Sequence, residues 1–271
     1  MHRAIRVVVV AATFAIPLCS LDAQSPSPLR KGATPAPVDS SDLPWPTGTF
    51  SILAFDPATG ELGGAVQSRV FSVGNGVLSV EAGVGVVATQ AIVDVSYGPQ
   101  ALALLRQGKD AETVVKTVWG TDPDPRPQDW SKEGRQFAVV DAKGRVFAYT
   151  GPKATEWAGN KSCSAASTPC TAQGNILASS AVVDSMVMFF ERTKGPLAYR
   201  LLAALEGGQS AGGDKRGMQS AAMVIVKKDG GVWLHNDTVL RLQVDDNPEP
   251  IKELRRLVEK ASAVKQIPPP K

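Results

Sequence analysis

The chain has 271 residues, with 29 Lys and Arg against 26 Asp and Glu for a formal net charge of +3, and its basic residues are dispersed among acidic ones. That balance lacks the basic stripe needed to track a phosphate backbone, so nucleic acid is not expected as a partner. With 3 Cys and 2 His along the whole length, a complete tetrahedral zinc shell is not expected either.

The chain opens with the three-part pattern of an export signal over residues 1–23: Arg3 and Arg6, an apolar run from Val7 to Leu18, then small residues near Ala23. Cleavage is expected after Ala23, delivering the protein to the periplasm or the exterior. The apolar run is shorter than the roughly 20 residues that span a bilayer, and no later run exceeds it, so no integral membrane segment is expected. A lipoprotein anchored through Cys19 is the less favoured alternative, because Leu18 is bulkier than the small residue that usually precedes a lipidated cysteine. Residues 24–48 are rich in Pro, Ser, Ala and Thr without apolar periodicity, which reads as a disordered tether. A single domain is expected from 49 to 265, followed by a frayed tail over 266–271.

From Thr49 to Phe55 the residues are β-prone, Asp56-Pro57-Ala58-Thr59-Gly60 is turn chemistry, and Glu61 to Gln67 is extended again, which predicts a hairpin. Gly83 to Thr89 suits a buried strand. Two helices are predicted next, Tyr97 to Gln107 and one capped by Asp110, separated by Gly108. Gln136 to Asp141 and Arg145 to Tyr149 flank a turn and predict a second hairpin. Cys163 and Cys170 then lie in a loop. In an oxidising compartment two thiols so close are expected to pair, closing a loop worth about 2.5 kcal/mol at most. A second helix pair is predicted over Ala181 to Arg192 and Pro196 to Glu206, the latter ended by Gly207-Gly208. Ser220 to Lys227, Val232 to His235 and Val239 to Val244 read as strands, and Pro248 to Lys265 as a charged amphipathic helix. Asp245 and Asp246 read as caps for that helix, with a weak surface calcium site as the alternative.

Hairpins alternating with helix pairs do not give the βαβα rhythm of a doubly wound sheet. They fit an α+β protein in which two largely antiparallel sheets pack together under helices, a four-layer αββα sandwich. No G-x-S-x-G elbow surrounds a serine and His235 stands alone, so a Ser-His-Asp triad is disfavoured. The glycines of G-V-G-V-V-A lack a dinucleotide-loop setting and no P-loop lysine occurs, so no cofactor is expected.

The run T-F-S-I-L-A-F-D-P-A-T-G-E-L-G-G-A-V-Q-S-R from Thr49 and A-T-Q-A from Ala88 resemble the bacterial family called domain of unknown function 1028, assigned to the N-terminal nucleophile (Ntn) hydrolases. Q-G-N-I-L-A from Gln173 and G-G-Q-S-A-G-G-D-K-R-G-M-Q-S-A-A from Gly207 are similar to its other segments. The resemblance implies the four-layer sandwich and a Thr, Ser or Cys nucleophile at a newly exposed chain start, a position that Thr49 matches. A threonine hydroxyl needs a base, and a free α-amine with pKa about 8 can serve. Here Thr49 follows Gly48, so the chemistry requires a cut between them.

Ser68 and Arg69 sit where the more distantly similar proteasome subunits carry Asp-Ser-Arg, although Gln67 replaces the aspartate and no lysine lies between Arg69 and Lys109. Asp214 and Arg216, in a Gly-rich loop, are candidate substrate-binding residues or an ion pair bracing that loop. Gln90, Gln173 and Asn175 offer amides to substrate or, Asn175 foremost, to an oxyanion. The implied function is amide hydrolysis on a small polar or peptide-like substrate; a non-catalytic binding protein on the same fold is the alternative. Unpaired sheet edges make a homodimer the expected assembly.

Overall fold

A computed structural model of the protein describes residues 48–164 and 168–270. The segments read above as an export signal and a tether, with Cys19, fall in residues 1–47 and lie outside the described residues, as does Lys271. Among the described residues no helix is long and apolar enough to cross a membrane.

The opening hairpin forms as the turn chemistry requires: β1 (Thr49–Asp56) and β2 (Glu61–Ser68) pair antiparallel, and Asp56 Oδ1 accepts the Ala58 N–H at 2.9 Å to close the turn. β3 (Leu78–Glu81) and β4 (Gly85–Ala91) follow, then α1 (Tyr97–Arg106) and α2 (Ala111–Thr121), whose N-cap Asp110 accepts the Thr113 N–H at 2.8 Å. β5 (Arg135–Asp141) and β6 (Val146–Thr150) make the second expected hairpin. β7 (Gly159–Ser162) and β8 (Cys170–Asn175) precede α3 (Ala181–Arg192), α4 (Leu197–Ser210), β9 (Ser220–Val226), β10 (Thr238–Val244) and α5 (Pro250–Ala263).

The strands form two antiparallel sheets, one of six in the order β10-β9-β2-β1-β8-β7 and one of four in the order β3-β4-β5-β6. Three apolar clusters fill the molecule. One, with Phe50, Ile52 and Ala54, joins the six-stranded sheet to α3, α4 and α5; a second, with Leu53, Leu62 and Val86, lies between the sheets; a third, with Val87, Phe137 and Val114, joins the four-stranded sheet to α1 and α2. The α+β sandwich expected from the alternation of hairpins and helix pairs is therefore what the chain builds.

The structure departs from the sequence expectations at several places, β3 among them, which no expectation covered. β7 and β8 occupy what reads as the cysteine loop, and β8 is missed because its inward residues Thr171, Gln173 and Asn175 are polar although buried. α4 runs through Gly207 and Gly208 to Ser210, because these glycines admit close packing: a Cβ at Gly207 would stand 2.7 Å from Phe189 and one at Gly208 2.7 Å from Met186. Val232 to His235 form no strand but a turn with Val232, Trp233 and Leu234 exposed. Asp245 does not cap α5; its Oδ1 accepts from Ser72 Oγ at 2.6 Å and from Gln243 Nε2 at 2.5 Å, while Asp246 accepts from Gln219 Nε2 at 3.2 Å. The tail is pinned as far as Ile267, which is buried, and Gln266 Nε2 donates to the Val239 carbonyl at 3.1 Å.

Candidate functional site

β1 is central in its sheet, hydrogen-bonded to β2 on one side and β8 on the other, and its first residue Thr49 stands opposite Ser68 and Asn175. The two-residue period of a strand turns Phe50, Ile52 and Ala54 to the helices and Thr49, Ser51 and Leu53 to the inter-sheet space. Thr49 is only 2% exposed.

Its Oγ1 donates to Ser68 Oγ at 3.0 Å, and Ser68 Oγ donates to the Gly48 carbonyl oxygen at 2.5 Å. The same oxygen accepts from Arg216 Nη2 at 2.7 Å. Arg216 is held in turn by Asp214, through Nη2 to Oδ2 at 2.8 Å and Nε to Oδ1 at 3.1 Å, and the Asp214 side chain is fully buried. Hence the Gly48–Thr49 peptide carries a hydroxyl on one side and a guanidinium and a serine on its carbonyl. Two donors, one charged, polarise that carbonyl and would hold a negative oxygen there. A Cβ at Gly48 would lie 2.7 Å from Asp214 Oδ2 and 2.8 Å from Arg216 Nη2, so a larger residue there would displace this ion pair.

Behind Thr49 the polar positions of four strands interlock. Gln90 Nε2 on β4 donates to the Thr49 carbonyl at 3.2 Å and to Gln136 Oε1 at 3.1 Å; Ser51 Oγ donates to Gln90 Oε1 at 2.6 Å; Gln173 Nε2 donates to Ser51 Oγ at 2.6 Å. Gln136 Nε2 reaches the Gly174 carbonyl at 2.7 Å and so ties the second sheet to β8. A network of this kind fixes the register of the two sheets beside Thr49.

Next to Thr49 and Gln90 opens a cavity of about 180 Å³ walled by two segments. The first, residues 70–77, contributes Val70, Phe71, Val73 and Val77, and is braced where Ser220 Oγ donates to the Val70 carbonyl at 2.6 Å and accepts the Val73 N–H at 3.1 Å. The second, after β4, contributes Val93 and Val95. It is anchored by Arg135, which pairs with the Asp94 carboxylate at 3.4 Å and with Asp122, and by Trp130 Nε1, which donates to the Val93 carbonyl at 2.9 Å.

Of the residues singled out by sequence, Ser68, Asp214 and Arg216 thus gather at the Gly48–Thr49 peptide, Gln90 holds the Thr49 carbonyl and Asn175 stands opposite Thr49 on β8. Gln173 stands one hydrogen bond further away. Arg69 is exposed and touches the site only through Nε to the Arg216 carbonyl at 3.3 Å. Gln67 is buried on the opposite side of β2 from Ser68, its carboxamide without a hydrogen-bond partner among the described residues. The cation on the Gly48 carbonyl is Arg216, from a loop far along the chain. Cys163 and Cys170 stand at disulfide distance, Cα atoms 5.1 Å apart, at the end of β8 remote from Asn175. Sequence reading passed over Ser51 and Gln136. Their signal is a polar residue at an inward position of a strand that is otherwise largely apolar.

No curated protein matches the chain. A crystal structure of protein SPO2555 from Silicibacter pomeroyi, which carries the family model DUF1028, is similar at 31% sequence identity and a TM-score of 0.69, covering 79% of this chain and 86% of that one. The model of the same family of unknown function matches residues 49–254, most of the described structure. This chain belongs to that family, DUF1028.

Proposed function

We propose that the protein is an exported amidohydrolase of the N-terminal nucleophile type, with Thr49 as nucleophile exposed by cleavage of the Gly48–Thr49 bond. One observation carries the reading: the Thr49 hydroxyl, Ser68 and the Gly48 carbonyl form a continuous hydrogen-bonded relay, with Arg216 on the same carbonyl oxygen. In the cleavage step Thr49 Oγ1 bonds to the Gly48 carbonyl carbon while its proton passes through Ser68 to the carbonyl oxygen. The C–N bond then breaks, the Thr49 nitrogen takes up a proton, and water hydrolyses the resulting ester to leave a Gly48 carboxylate and a free Thr49 amine.

After cleavage the amine, with pKa about 8, accepts the Thr49 hydroxyl proton during attack on a substrate amide. An ester forms on Oγ1 as the substrate C–N bond breaks; the leaving amine takes the proton, and water releases the acid. Ser68 and Arg216 supply oxyanion donors, with Asn175 adjacent across β1 and β8, and the Asp214–Arg216 pair meets a polar end of the substrate. Gln90 and Gln173 hold the strand that bears the nucleophile in place.

Intact mass and N-terminal sequencing of the exported protein test this directly. The wild type is expected to begin at Thr49. Thr49→Ala is expected to keep Gly48 attached and to abolish turnover of amides, and Gly48→Ala to slow cleavage at least tenfold by displacing Arg216. A wild-type chain that stays intact through Gly48–Thr49 and shows no turnover dependent on Thr49 would remove the hydrolase reading in favour of a binding protein on the same fold.

A further inference from the structure

We propose that the substrate of this site carries an apolar group, about the size of a phenyl ring or a short alkyl chain, on the acyl side of its amide; the inference rests on the hydrolase reading above. The cavity beside Thr49 is polar only at its floor, where Thr49 and Gln90 lie, and at Ser72, whose hydroxyl is engaged with Asp245 Oδ1 at 2.6 Å. Its walls are the side chains of Val70, Phe71, Val73, Val77, Val95 and Trp130. A polar substituent placed there would lose its hydration and find no partner, which costs more than an apolar one gains.

Size narrows the class further. An apolar cavity of about 150 Å³ is known to take up benzene, so a space of about 180 Å³ admits a ring or a chain of similar bulk and excludes a folded segment of another protein. Its shape is held in advance. Ser220 and Asp245 fix one wall and the Arg135–Asp122 pair fixes the other, so the site has little ordering entropy left to lose on binding.

The mouth is apolar as well, with Phe71 61% and Val95 59% exposed. Isolated exposed apolar side chains are ordinary, but two at the rim of an apolar cavity whose floor holds a nucleophile extend the binding surface outward. The acyl side is assigned because the acyl group stays bonded to Thr49 until water releases it, whereas the amine must leave at once. An apolar pocket against the nucleophile, open at its mouth, suits the group that stays.

The test reads binding on a chain released from an N-terminal fusion so that it begins at residue 49 and carries Thr49→Ala, which frees Ser68 and Arg216 from the Gly48 carbonyl and leaves nothing to be consumed. Acetamide, butanamide, hexanamide and phenylacetamide are titrated by NMR, beside N-alkylacetamides of matching length. Affinity is expected to rise about fourfold per added methylene on the acyl side and to level off once the cavity is full, with no such gradient for the N-alkylacetamides. Val95→Asp and Phe71→Ser, both at exposed positions, are expected to weaken hexanamide binding about tenfold and to leave acetamide unchanged. Affinity independent of chain length, a gradient on the amine side, or a gradient untouched by both variants would overturn the inference. Turnover is read separately on the wild type, so binding with this gradient beside no wild-type hydrolysis counts against the hydrolase reading alone. Thr49-dependent turnover of small polar amides without the gradient counts against the apolar acyl group alone.

Discussion

Arg135 is the bulkiest of the fully buried side chains, and its charge is matched inside the fold by Asp122 and Asp94. Removing one member of such a set leaves an uncompensated buried charge. Tyr97 completes it, its hydroxyl bonded to Asp122 and accepting from Arg135 Nη1 at 3.0 Å. Burial pushes the Tyr97 phenol up to about 12, in spite of the opposing pull of Arg135. Its proton is therefore held more tightly in the folded than in the unfolded chain, where the pKa is about 10. The corresponding stability is fully present below pH 10 and is lost as pH rises through 12, a change of about 3 kcal/mol at most. Urea midpoints measured across that window are expected to fall for the wild type and to fall less for Tyr97→Phe. At this scale the sequence made the motif residues legible, because Thr49, Ser68, Asp214 and Arg216 stand in recognisable runs. It did not reveal what a side chain at Gly48 would displace, since the atoms that a Cβ there would meet belong to Asp214 and Arg216, far away in the chain.

Among the elements, β8 matters most for the site, because it supplies Asn175 opposite Thr49 and Gln173 opposite Ser51. On its other side it is paired with β7, the edge strand of its sheet, and Cys163 and Cys170 clasp that pair at the end remote from the site, where the Cys163 N–H also donates to the Cys170 carbonyl at 2.9 Å. Reduction opens a short loop and costs about 2.5 kcal/mol at most. Reduced protein is expected to remain folded, with faster amide exchange over β7 and unchanged protection at Gln173 and Asn175, which are fixed by β1. Loss of protection along the whole of β8 would show that the clasp, and not the central strand, holds the site. Helices with regular apolar spacing and an explicit cap, such as α2 behind Asp110, were legible locally. β8 was not, for its inward side chains are polar and its partners lie far off in sequence. Gly207 and Gly208 misled for a related reason: glycine marks a helix end when it relieves the backbone, but here it admits the side chains of α3.

In the whole molecule, the layer between the sheets sets the geometry of the site, because Thr49 on one sheet and Gln90 on the other must meet across it. Leu53 lies in that layer and is fully buried. Leu53→Ala is expected to cost about 3 kcal/mol, read as a lower urea midpoint at unchanged slope. A much smaller cost would mean that the sheets close over the gap. The sequence alone determined the family, the α+β class, the helix pairs and the motif residues, since each is written in local periodicity, turn chemistry or contiguous runs. Only the tertiary structure decided that Gly48, Ser68 and Arg216 share one carbonyl oxygen, that a glutamine and serine network joins the sheets behind Thr49, and that the adjoining cavity is apolar. Each of these depends on side chains brought together from strands and loops separated by tens of residues, and no local pattern encodes which distant side chain fills the space in front of a given one.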